Sequence, residues 1–109
     1  MALTVNSASD SGRVPKQPMM AGTLNVDADA TYAAGGYDVS ASLPDGVTVF
    51  CSPWVPSYDG SALYWMRIEM VSGVPRLKIY DNGSGAPGTE TSTADQSGHT
   101  GVTIDWIGY

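Results

Sequence analysis

Between residues 62 and 70 the chain reads Ala-Leu-Tyr-Trp-Met-Arg-Ile-Glu-Met, with Tyr64, Met66, Ile68 and Met70 at one parity and Arg67 and Glu69 at the other. A period of two sustained over this length is a β-strand with one wet face. Shorter runs of the same kind occupy residues 47–52, 76–80 and 102–107, each fenced by Gly, Pro, Asp, Asn or Ser. The sequence therefore predicts an all-β domain of antiparallel strands. A chain of 109 residues with 42% hydrophobic content is long enough for one core, provided the strands close into two layers. The expected form is a compact β-sandwich or a jelly-roll-like small barrel.

Residues 1–21 read differently. Gly12, Pro15 and Pro18 interrupt any periodicity, and Arg13 and Lys16 are the cations outside the strands. This composition predicts an extended N-terminal arm, free or laid on a neighbouring subunit, with Met19 and Met20 as anchors. Residues 22–109 form the single β domain. Its expected strands are 22–27, 37–43, 47–52, 62–70, 76–80 and 101–107, with an edge strand at 89–93 inside an otherwise polar stretch from 81 to 100. Turn chemistry at Pro44-Asp45-Gly46, Tyr58-Asp59-Gly60 and Ser72-Gly73-Val74-Pro75 predicts that neighbours in sequence pair. The Ala-rich segment 27–34 has no amphipathic stripe and supports a turn or two of helix at most.

Composition excludes more than it identifies. Eleven acidic against five basic side chains give a net charge of -6, a field that repels phosphate and argues against direct nucleic-acid binding and against anionic membranes. No run approaches the roughly 18 apolar residues of a membrane span. The first residues carry neither a basic flank nor a long apolar core, so no signal peptide is expected and synthesis in a cytoplasm follows. The single Cys51 forms no internal disulfide.

Chemistry-bearing residues are sparse. His99 is the sole histidine, read as an exposed loop residue. Cys51, in register with Val47 and Val49, is read as a buried thiol. Asp27, Asp29 and Asp81 are read as turn and strand-end residues bonding local amides rather than as a calcium loop. No catalytic residue, metal site or cofactor is expected, and an enzyme would need Cys51 and His99 to meet in a cleft. The aromatics are more suggestive. Trp54 and Tyr58 lie in the Pro-bounded segment Ser-Pro-Trp-Val-Pro-Ser-Tyr, and Trp65 shares its parity with Arg67 and Glu69, which points to a contact surface.

Four segments, Tyr32-Ala-Ala-Gly-Gly-Tyr-Asp-Val39, Asp45-Gly46, Leu77-Lys-Ile-Tyr80 and Ile104-Asp-Trp-Ile-Gly-Tyr109, carry a resemblance. Over residues 22–109 the chain resembles small virion structural proteins of tailed bacteriophages, of the head decoration or cement type. The Pro-Trp-Val-Pro segment departs from that pattern, and no residue role transfers. The resemblance implies a capsid decoration protein, a homotrimer on the capsid exterior that binds the major capsid protein. On that reading Arg13, Lys16, Met19, Met20, Trp54, Tyr58 and Trp65 are the candidate contacts. The competing expectation is a carbohydrate- or receptor-binding module of a tail or fibre, with Trp54, Tyr58 and Trp65 as a stacking platform.

Overall fold

In the computed structural model, which describes residues 3–12 and 19–109, the chain forms nine strands, and the only helical turn among the described residues is a 3-10 turn at Ser40–Ser42. The strands are β1 (Thr4–Asp10), β2 (Met20–Asp27), β3 (Tyr37–Asp38), β4 (Val49–Cys51), β5 (Val55–Asp59), β6 (Ala62–Val71), β7 (Val74–Asn82), β8 (Pro87–Glu90) and β9 (Val102–Gly108). They form two antiparallel sheets, one ordered β1-β2-β9-β4 and the other β3-β7-β6-β5 with β8 also on β7. The fold is sandwich-like and all-β.

Alternation decides which side chains meet between the layers. From β2 and β9 come Met20, Leu24, Val26, Val102, Ile104 and Trp106, and from β6 and β7 come Met66, Ile68, Leu77 and Ile79, all buried. Each such side chain contributes about 1.5–3 kcal/mol of burial. Gly22 stands at an inward position opposite Trp106, where a Cβ would come within 2.5 Å of the Ser9 carbonyl and 2.6 Å of the indole. The missing side chain is what lets the largest core residue lie across β2. Ser52 fastens the layers together. Its Oγ donates to the Asp105 carbonyl at 2.7 Å and accepts from the Ile68 amide at 3.0 Å, so one hydroxyl satisfies backbone groups of both sheets.

The β6–β7 hairpin turns on Ser72 and Gly73, both at positive φ (50° and 80°). A turn left-handed at both central residues matches the twist of the flanking strands. The pairing expected from turn chemistry holds for β5 with β6 and β6 with β7. It fails at Pro44-Asp45-Gly46, which carries the chain from one sheet to the other, because β3 pairs with β7 and β4 with β9. The expected strand over 37–43 is accordingly short: Asp38 accepts from the amide and hydroxyl of Ser40, and this side-chain turn competes with ladder pairing.

Three further expectations are corrected. Residues 4–10 of the expected arm are extended but pair with the domain's own β2, with Asn6 donating to Asn25 and Asp27. The Pro-bounded segment, which its prolines predict to be a loop, is irregular only at residues 52–54: Val55–Asp59 is an edge strand, tolerable because Pro56 there sits on a strand with only one partner. Cys51 is exposed rather than buried. An irregularity between Val49 and Cys51 turns both Phe50 and Cys51 outward and brings Ser52 in.

Candidate functional site

Two surfaces gather the residues that could carry a function. The first is the outer face of the five-stranded sheet. Cross-strand pairs Pro56–Trp65, Trp65–Tyr80, Arg67–Lys78 and Glu69–Arg76 align the outward residues of β5, β6 and β7, so Tyr58 and Trp65 share one face, and Trp54, just before β5, packs its ring against Arg67 and Tyr80 on the same face. The face is already occupied by its own contacts. The Arg67 guanidinium lies 4.0 Å from the Trp54 ring centroid, and Tyr80 meets Trp54 edge-on at 4.9 Å. Glu69 collects Arg67 Nε at 2.9 Å, the Tyr80 hydroxyl at 2.7 Å and Lys78 Nζ at 3.7 Å. Burial raises the Glu69 carboxyl, but the bonds from Tyr80 and Arg67 outweigh it and hold the group below its ordinary range. The same burial and the Glu69 carboxylate push the Tyr80 phenol up to about 12. Trp65 Nε1 donates to Asn82 at 3.1 Å. Only Tyr58, 62% exposed, stands clear of the surface.

The second surface lies on the outer side of the four-stranded sheet, at the end where β2, β9 and β4 meet. Met20 pairs with Gly108, and Thr48 and Tyr109 exchange backbone hydrogen bonds at 2.8 and 3.0 Å. That register brings Tyr109 beside Phe50, with Met19 one residue before the Met20–Gly108 pair at the same end of the sheet. Their exposures are 56%, 53% and 53%, and the Phe50 and Tyr109 rings are 5.8 Å apart. Together with Tyr58 these are the exposed large apolar side chains among the described residues. Met20, expected as a contact, is buried in the core between the sheets instead. Arg13 and Lys16 lie outside the described residues. Phe50 and Tyr109 were absent from the expected contacts, although a signal existed: each stands at the parity opposite to inward Val49 and Gly108.

His99, expected in solvent, is 1% exposed. Gln96 Nε2 donates to the Thr93 carbonyl, which turns its Oε1 toward His99 Nε2 at 2.9 Å. Nε2 therefore carries the proton, and Nδ1 accepts from the Ser57 hydroxyl at 2.7 Å. Burial lowers the imidazole pKa against the pull of Asp59. The ring is a neutral strut that anchors the 94–99 segment, whose backbone also meets residues 28–32 through Ala28 to His99, Tyr32 to Ala94 and Gln96 to Asp29. Both ring nitrogens are engaged by Ser57 and Gln96, and Cys51 sits on β4, in the other sheet.

The acidic side chains serve turns and bridges. Asp27 accepts from the Gly101 amide at 2.7 Å, and Asp29 from the amide and hydroxyl of Thr31. No group of three His, Cys, Asp or Glu close enough to hold a metal occurs among the described residues. Among the described residues no helix is long and apolar enough to cross a membrane. No family model matches the chain, and no curated protein or solved structure gives a match.

Proposed function

We propose that this chain is a docking subunit without chemistry of its own, a decoration protein on the outer surface of a phage head that binds the major capsid protein. The observation that carries the reading is the exposure of Met19, Phe50 and Tyr109 at one end of the four-stranded sheet, with the Phe50 and Tyr109 rings 5.8 Å apart. Exposed aromatic and methionine side chains at adjacent strand positions are what protein interfaces bury at their centre. The electrostatics favour a neutral partner. Arg67 and Lys78 are held by Glu69, and Arg76 Nη1 donates to the Gly36 carbonyl, so no described cation is presented to phosphate.

A carbohydrate-binding reading draws support from Trp54, Tyr58 and Trp65 sharing one sheet face. Arg67 covering the Trp54 ring argues against it, because a sugar needs that open face to stack. Co-sedimentation of the purified protein with intact capsids, beside binding to a glycan array, separates the two. Pelleting with capsids that is lost when Phe50 and Tyr109 are replaced supports docking. Glycan binding lost with Trp54→Ala, and no pelleting, overturns it.

A further inference from the structure

We infer that β1 is a self-association edge: two copies of this chain pair through Thr4–Asp10, antiparallel about a two-fold axis at Ala8, joining their four-stranded sheets into one continuous sheet. The argument starts from a comparison of the open edges. β3 has two residues and β4 three, while β5 and β8 contain Pro56 and Pro87, and short or Pro-bearing strands are how sheet edges are closed to further pairing. β1 is an edge of seven residues with no proline and no lysine. Its one irregularity lies between Val5 and Ser7, and Ser7–Asp10 run in regular register against β2.

Backbone direction fixes which groups are open. The Ser11 amide donates to the Ala21 carbonyl at 2.9 Å, so by alternation Ser9 and Ser7 bond β2, while Ala8 and Asp10 aim their N–H and C=O groups outward. In an antiparallel ladder the two residues of an opposed pair either both face the partner, as a hydrogen-bonded pair, or both face away. An axis at Ala8 satisfies this, with Ala8 against Ala8 as a hydrogen-bonded pair and Ser7 against Ser9 as a non-hydrogen-bonded one, and it sets Asp10 against Asn6 beside the irregularity. Ala8 is exposed and small, and side chains of a strand stand above and below the sheet rather than between paired backbones, so the Ala8–Ala8 pair crowds neither face.

Charge selects the direction. Asp10 is the only charged residue of β1. Antiparallel pairing about Ala8 holds the two carboxylates four residues apart, about 14 Å at roughly 3.4 Å per residue, which is beyond the Debye length of about 10 Å at 0.1 M salt. Parallel pairing would stack them at about 5 Å, where like charges directly opposed are destabilising. The axis makes a two-fold pair rather than the three-fold assembly that the phage resemblance implies. It is independent of the docking corner, which lies on the outer side of the same sheet.

The test uses the full chain with Cys51→Ser. A hydrogen-bonded antiparallel pair sets Cα atoms about 5.5 Å apart, within disulfide range. Mild oxidation of Ala8→Cys should therefore give a covalent dimer at least tenfold faster than Asp10→Cys. Sedimentation velocity of the unmodified chain should show a concentration-dependent dimer up to about 1 mM, as expected of a small transient interface. Ala8→Pro removes an outward N–H that β2 does not use, and should weaken the dimer at least tenfold with its melting transition retained. Equal cross-linking at Ala8 and Asp10, or a monomer throughout that concentration range, overturns the proposal even if Ala8→Pro fails to fold. Capsid binding plays no part in either readout.

Discussion

At the scale of single residues, one absent side chain, at Gly22, and one small one, at Ser52, hold the sandwich together. Gly22→Ala would drive a methyl group against the Ser9 carbonyl and the Trp106 ring. Neither the backbone nor a fully buried indole can give way cheaply, so a loss of about 1–3 kcal/mol is expected in urea unfolding. Ser52→Ala strands the Ile68 amide in the interior and should cost about 1–3 kcal/mol by the same measurement. His99 gives the molecule an acid-sensitive point. Its folded pKa lies below its ordinary 6.5, so the unfolded chain binds the proton first. The strut's contribution is complete above pH 6.5 and declines as pH falls beneath it. Urea midpoints measured from pH 8 downward should begin to fall there.

At the scale of elements, the β6–β7 face behaves as a ladder keyed on Glu69. Its depressed carboxyl stabilises the fold above the ordinary value of 4.5, and that stability is lost as pH drops through the folded pKa. A second decline should therefore follow the one from His99; because the carboxyls of Asp27, Asp29, Asp38 and Asp95 are depressed as well, Glu69→Gln should make that second decline shallower while leaving the first. Pairing of β6 with β7 was legible from the strict alternation of 62–70 and from Ser72-Gly73. β5 was not, because the two prolines of 53–56 read as a loop signal. They are tolerated because the strand is an edge, and edge position is a property of the sheet.

At the scale of the whole molecule, the exposed corner and the β1 edge lie on one sheet, and each is probed by its own variants. Phe50→Ser and Tyr109→Ser remove side chains that are more than half exposed, so stability should move by no more than about 0.5 kcal/mol. Together they should weaken capsid pelleting at least tenfold, since central interface aromatics contribute about 2 kcal/mol or more. Unchanged pelleting by a folded double variant would remove the corner from the docking account.

By itself the sequence determined the class of fold, the inward side chains of β6 and the outward parity of Trp65 with Arg67 and Glu69, because these depend on alternation, which is local. The tertiary structure alone decided the rest. Only the closing of two sheets could bury His99 against Ser57 and Gln96, turn Cys51 out beyond an irregular β4, lay residues 4–10 along β2, and bring Met19, Phe50 and Tyr109 from three distant segments to one corner. Each of these rests on contacts between residues far apart in the chain, which a pattern of period two does not encode.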